Sequence, residues 1–190
     1  HYTVNFVAVK NTSGDAATFA AAAEKAAAKM AVILMADDAA AQSAALDKIA
    51  AEKPLVYAAT EANYEAMVEV AKKYEVPLAV YAEGLEALDA LVEKIVALGY
   101  KELVLDPGSR ETAQVIADMT QIRRLAVKKR HRPFGYPTIA FTSEEDPLEE
   151  ELQAVAYTAK YASIVVMKDM SKARVIGLLS WRQNVFTDPQ

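Results

Sequence analysis

Not one of the 190 residues is a cysteine. That absence excludes a disulfide framework, a zinc site built on thiolates and an iron-sulfur cluster held by cysteines within these residues. Histidine is nearly as scarce: His1 opens the sequence and His131 sits inside a basic run. Neither has the partner set that a metal centre or a catalytic triad requires. No apolar run reaches the roughly 18 to 20 residues needed to cross a bilayer, and no charged-then-apolar targeting pattern opens the sequence. The expected setting is the cytoplasm, away from membranes. Excess positive charge is missing as well, with 21 Lys and Arg against 26 Asp and Glu and a net charge of -5. A phosphate backbone is therefore not an expected partner, and nucleic acid is excluded from the expected set. The six glycines form no phosphate-cradling loop, and neither a nucleophile elbow nor a zinc-type His-Glu pattern occurs.

What the sequence does contain is one theme stated seven times: a short apolar run ends in polar or acidic residues, and an alanine- and leucine-rich helical stretch follows. The runs are YTVNFVAVKN, AVILMADD, PLVYAAT, PLAVYAE, ELVLDPG, TIAFTSEED and SIVVMKD. AVILMA (31–36) and IVVM (164–167) are continuous apolar runs without alternation, as expected of parallel strands covered on both faces. Leu85, Leu88, Leu91, Val92, Ile95 and Leu98 recur at three- and four-residue steps between Gly84 and Gly99, predicting one amphipathic helix against the sheet. The segment 15–29 is almost all alanine, with high helix propensity and little side-chain volume to bury. Such alternation predicts an α/β fold, a (β/α)8 TIM-type barrel with its catalytic face at the strand ends. A closed barrel has eight units over about 250 residues, and this chain supplies about seven. The expectation is therefore an incomplete barrel over residues 1–190, a piece of a longer polypeptide with its first strand upstream. WRQNVFTDPQ, with the turn-opening Asp188-Pro189, suggests that chain continues beyond it.

In that architecture the polar residues after each strand ring one mouth. Capping or solvation is the commoner role of such residues, since Asp, Ser and Thr accept the free amide protons of a helix's first turn. Asp146-Pro147-Leu148-Glu149 reads as a cap of this kind. The candidates for contacting a ligand at the mouth are Asn11, Asp37, Asp106, Thr142, Ser143, Glu144 and Asp169; none is assigned a catalytic role and none a metal. Asp106 is the most pointed, because LDPG forces a turn at a strand end and holds a carboxylate at the rim. Lys10 and Lys168 are strand-end amines, the residue type an aldolase-like enzyme would use, but Asp169 beside Lys168 opposes the lowered pKa this needs. The basic run of Arg123, Arg124, Lys128, Lys129, Arg130 and Arg132 fits a solvated helix end, with docking as the lesser reading. Trp181 and the nine tyrosines are expected in core or interface.

Longer stretches carry a resemblance: VAVKNTSGDAATFA, LVYAATEANYEAM, LVLDPGSRET, DMTQIRRLAVKK, FGYPTIAFTSEEDPLEEEL, YASIVVMKDM and LLSWRQNVFTDPQ. Together they resemble the large subunit of the corrinoid/iron-sulfur protein of the anaerobic acetyl-CoA pathway, FTSEEDP and RQNVFTDPQ being the most specific. The resemblance implies a large subunit in three parts: a cysteine-rich cluster domain, a central barrel and a corrinoid domain. This chain would be most of the barrel. It implies a methyl carrier on cobalt, loaded by a methyltetrahydrofolate methyltransferase, unloaded at acetyl-CoA synthase, and paired with a smaller barrel subunit. The corrinoid and the iron-sulfur cluster belong to the parent's other domains, with neither expected in these residues, which leaves a scaffold. A rival expectation is a pterin-binding methyltransferase barrel acting on methyltetrahydrofolate through Asn11, Asp37, Asp106 and Asp169.

Overall fold

The computed structural model describes residues 4–186; His1 and the Asp188-Pro189 pair lie outside them. Seven strands alternate with seven α-helices: β1 (Phe6–Lys10), α1 (Ala16–Ala27), β2 (Ala31–Met35), α2 (Ala39–Ile49), β3 (Leu55–Ala59), α3 (Tyr64–Tyr74), β4 (Leu78–Tyr81), α4 (Leu85–Ala97), β5 (Leu103–Asp106), α5 (Thr112–Lys128), β6 (Ile139–Phe141), α6 (Pro147–Ala159), β7 (Ile164–Val166) and α7 (Lys172–Phe186). Every expected strand-helix unit is present. The fold is α/β with parallel sheets.

The chain packs as two compact units, 4–105 and from Asp106 onward. In the first, β1 to β5 lie side by side in sequence order, with parallel ladders joining β1 to β2, β2 to β3 and β3 to β4. Each crossover is a helix, as parallel neighbours require. The core is aliphatic: Ile33, Leu34, Val56, Leu78 and Leu105 from the strands meet Leu46, Met67, Leu88, Leu91 and Ile95 from the helices, all buried. Burying a leucine of this kind contributes about 1.5–3 kcal/mol. The leucine stripe of α4 behaves as its spacing predicts, with Leu88, Leu91, Val92 and Ile95 inside. Leu98, one residue past the helix, is exposed. The alanine helix α1 begins on Asp15, whose carboxylate accepts the Thr18 amide and hydroxyl, and buries only Phe19, Ala20 and Ala23. Tyr100 is held by donating its hydroxyl to the Val76 carbonyl, and burial pushes its phenol up to about 12.

The second unit contains a two-stranded parallel sheet of β6 and β7, paired Ile139 to Ile164, Ala140 to Val165 and Phe141 to Val166. Val115, Met119, Ala140 and Tyr157 form its buried cluster, with Ile116 and Val165 packed against it.

One expectation is met only in its coarser form, and another needs correcting. Among the described residues the ladders form one five-stranded and one two-stranded sheet, and no closed barrel is seen. Closure requires each strand to be bonded on both sides, whereas β1 and β5 end one order and β6 and β7 pair with each other. Nor is the IVVM run fully covered: β7 spans Ile164–Val166 and is half-buried throughout.

One polar side chain ties the first unit's sheet. Gln42 of α2 is fully buried, and its Nε2 reaches the carbonyls of Leu34 (3.0 Å), Ala36 (2.9 Å) and Tyr57 (3.1 Å), at the ends of β2 and β3. Replacing Gln42 with Met removes these contacts at little change of volume and is expected to cost about 1–3 kcal/mol, measured by urea denaturation. A change below about 0.5 kcal/mol would show that the amide does not hold the strand ends.

Candidate functional site

The residues that follow the strands divide between the two units. After β1, Asn11 folds back on its own loop, its Oδ1 accepting from Ser13 Oγ (3.3 Å) and the Gly14 amide (3.1 Å), so that Asp15 arrives in place to cap α1. After β2 the acidic pair splits its roles. Asp38 caps α2 by accepting the amides of Ala40 and Ala41. Asp37 is exposed, and its backbone carbonyl accepts from Asn63 Nδ2 at 3.0 Å. Asn63 also receives the Thr60 amide at 2.7 Å on its Oδ1, closing the turn after β3. Within this unit Asn11 and Asp37 serve, or sit beside, turns that start helices.

In the second unit Asp106, Thr142, Ser143, Glu144 and Asp169 enter one hydrogen-bonded network. Asp106 has 0% exposure. Its Oδ1 accepts from the Gly108 amide (2.9 Å) and Arg110 Nη1 (3.0 Å), and its Oδ2 from Arg110 Nη2 (2.8 Å). The two-pronged geometry suits a planar guanidinium and strengthens each bond. Arg110 lies over the Phe141 ring at 4.8 Å, and its carbonyl accepts from Ser143 Oγ at 2.8 Å. Gln153 continues the chain, its Oε1 accepting the Ser143 and Glu144 amides (2.8 and 3.3 Å) and its Nε2 donating to Thr112 Oγ1 and Ser143 Oγ. Gly108 and Pro107 shape the turn, as LDPG predicts, and the buried carboxylate organises it.

The centre of the network is an ion pair that sequence reasoning missed. Glu150 and Arg174 are 3% and 7% exposed and meet at 2.6 Å. Glu150 Oε1 accepts from Thr142 Oγ1 (2.7 Å) and the Lys168 amide (2.7 Å). Arg174 donates from Nη1 to the Asp169 carbonyl (2.8 Å) and from Nη2 to the Pro147 carbonyl (2.8 Å) as well as to Glu150. Burial pushes the Glu150 carboxyl up, but the Thr142 hydroxyl, the Lys168 amide and the Arg174 guanidinium outweigh it and hold the group below the usual carboxylate range. Lys168 Nζ reaches the carbonyls of Ser143 (3.1 Å) and Glu144 (3.0 Å) and the Glu145 carboxylate (2.6 Å). An amine nucleophile needs a free lone pair, and this nitrogen is committed as a three-way donor. Lys10 sits exposed at the end of β1. A signal for Glu150 was present: Glu150, Gln153, Ala154 and Tyr157 follow the spacing of a buried helix face.

As for cofactors, the chain has no cysteine to ligate a cluster, and among the described residues no group of three or more His, Asp or Glu side chains forms a metal cage. His131 packs its ring edge-on against Phe134 at 5.2 Å. Among the described residues the side chains fit neither a cysteine-held cluster nor a metal cage of three or more such ligands.

A family model described as the CO dehydrogenase/acetyl-CoA synthase delta subunit matches residues 1–190. The chain belongs to that family. It is 56% identical over 192 residues to the corrinoid/iron-sulfur protein large subunit of Moorella thermoacetica, covering 100% of this chain and 43% of that protein. It is 32% identical to the acetyl-CoA decarbonylase/synthase complex subunit gamma of Methanothermobacter thermautotrophicus, covering 99% of this chain and 44% of that one. The chain thus spans less than half the length of these relatives. Among solved structures, that of the Mycobacterium tuberculosis protein Rv1207 superimposes with a TM-score of 0.64 at 14% identity, over 98% of this chain and 84% of the other. That likeness supports the fold alone. No described helix is long and apolar enough to cross a membrane.

Glu150→Gln is expected to destabilise the protein by about 3–5 kcal/mol at neutral pH, because it leaves the Arg174 charge buried without its partner; thermal or urea unfolding of the full-length protein measures it. The pH dependence has a definite sign. An unfolded glutamate titrates near ~4.3 and the folded one lower, so the contribution of Glu150 is complete above that value and is lost as pH falls through the folded value. Wild type should therefore show a steeper loss of stability below about pH 4.3 than Glu150→Gln, and parallel curves would contradict the assignment.

Proposed function

We propose that this chain is the central α/β scaffold of a corrinoid/iron-sulfur methyl carrier of the acetyl-CoA pathway. The observation that carries the reading is 56% identity along the whole chain to a protein named as such a large subunit, joined by relatives named as subunits of the acetyl-CoA decarbonylase/synthase complex. In the parent protein this segment completes a (β/α)8 barrel of the TIM type. Separate domains of the parent hold the iron-sulfur cluster and the corrinoid. A smaller barrel subunit pairs with it, a methyltetrahydrofolate methyltransferase loads the methyl group, and acetyl-CoA synthase accepts it, all in the cytoplasm. These residues do no bond-making; they position what does.

The candidate site supports a scaffold over a pterin-binding barrel. Pterin recognition would require strand-end side chains turned toward a ligand. Asp106, the best placed of them, is held in two bonds by Arg110 and one by the Gly108 amide. Thr142 donates to Glu150 and Ser143 to the Arg110 carbonyl. Asn11 is engaged in its own loop. Asp37, Glu144 and Asp169 are tied to the fold through backbone atoms, so their carboxylates are the ones open to a ligand in the intact protein.

In the intact parent protein, Asp106→Asn is expected to leave the rate of methyl transfer from methyltetrahydrofolate to the corrinoid within about twofold of wild type, while lowering stability by about 1–3 kcal/mol. A rate loss of about a hundredfold or more, the scale of a lost catalytic contact, would instead make the barrel mouth the methyl-donor site. The 190-residue chain alone should bind neither cobalamin nor methyltetrahydrofolate in titration calorimetry.

A further inference from the structure

The segment 123–132 (RRLAVKKRHR) holds six Lys and Arg and no carboxylate. Arg123, Arg124, Lys128, Lys129, Arg130 and Arg132 are all exposed. Among the described residues none of the six forms an ion pair with an acidic side chain. The helix dipole accounts for cations in the last turn of α5, where Lys128 and Lys129 stand near the final carbonyls. It does not account for Arg123 and Arg124, a turn earlier, or for Arg130 and Arg132 beyond the end. Arg124 and Lys128 are four apart on one helix face, a spacing at which like charges repel. Val127, between them in the chain, is 57% exposed, and Arg123 stands over the exposed Tyr161 ring at 5.9 Å. The segment therefore combines six uncompensated cations with an exposed valine and, beside Arg123, an exposed tyrosine, on a chain whose net charge is negative.

We propose that this end of α5 is a docking patch for a carboxylate-rich face of the enzyme that receives the carrier's cargo, an inference that rests on the carrier reading above. Arginine and tyrosine beside an apolar anchor are the residue types that dominate protein interfaces. A nucleic acid fits less well, because the Tyr161 ring lies under Arg123 and the His131 ring packs against Phe134, which leaves no row of stacking surfaces. The chemistry also matches a transient encounter. Unpaired surface charge speeds association and selects partners more than it adds lasting affinity, and a carrier must both meet its acceptor and leave it.

The test uses the full-length protein with its partner subunit and purified acetyl-CoA synthase, following association by stopped flow. Arg124→Glu/Lys128→Glu should slow association at least tenfold at about 0.01 M salt, where screening extends about 30 Å. The difference should vanish near 1 M salt, where it extends about 3 Å. The control pair Lys72→Glu/Lys101→Glu, two exposed cations in the first unit, shifts net charge by the same amount as the double variant and should change the rate less than twofold. Equal slowing by both variants, no slowing by the double variant, or displacement of the enzyme by duplex DNA at physiological salt would each overturn the proposal. A wild-type protein that neither associates nor delivers a methyl group would remove the carrier reading as well. Delivery that continues with an unaffected double variant would remove this patch alone.

Discussion

A parallel strand that ends leaves its last carbonyls and the next amides beyond the reach of the ladder, and buried backbone groups must find partners elsewhere. The fold depends on how this constraint is met. At β2 and β3 the amide of Gln42 collects three carbonyls. After β3, Asn63 closes the turn. After β5, Asp106 takes the Gly108 amide. After β6, Gln153 takes two successive amides, and after β7 Glu150 and Arg174 satisfy an amide and a carbonyl across the start of the next segment. In most cases a side chain from a helix, or from its first turn, reaches back to the strand it follows or to a neighbour. Helix and strand end are thereby fixed together.

This arrangement explains why polar residues crowd the strand ends: several of them are bonded to the fold itself. Acid-base or nucleophilic catalysis needs a group whose proton or lone pair is available to a substrate. Here the Asp106 and Glu150 carboxylates each face a guanidinium, the Lys168 amine contacts three oxygens, and the Gln153 amide is held by two backbone amides and two hydroxyls. Charge is also unevenly distributed. Residues 4–105 carry nine Lys and Arg against fifteen Asp and Glu, whereas from Asp106 onward there are twelve against eleven. Half of those twelve lie in ten consecutive positions, which is where the second unit differs electrostatically from the first.

Much of the fold could be read from the residues, because apolar runs, glycine stops and acidic caps act locally. The seven strand-helix units, the α4 stripe and the Asp146 cap, which accepts the Leu148 and Glu149 amides, follow from spacing and from the hydrogen-bonding preferences of single residue types. Barrel closure did not follow, since it depends on ladders between distant segments. In the candidate site, Asp106 stood out because proline and glycine mark its turn. Thr142 and Ser143 were rightly placed at a strand end, but their orientation was hidden. Nothing local tells a threonine to face Glu150 eight residues on. Gln42, Gln153 and Glu150 were hidden for a related reason: a polar residue in a helix looks like solvent-facing surface until the apolar positions around it are mapped onto the same face. Arg174 falls in a helix that buries little else of its described length, so no periodicity pointed to it.

The Glu150–Arg174 pair also constrains how this protein can change over generations. A codon change at either position alone strands a charge inside the second unit, and lysine at 174 lacks the planar fork that serves Asp169, Pro147 and Glu150 at once. Descendants must therefore alter both positions together or neither, so the two sites should drift as a single heritable unit even while the surface around them diversifies.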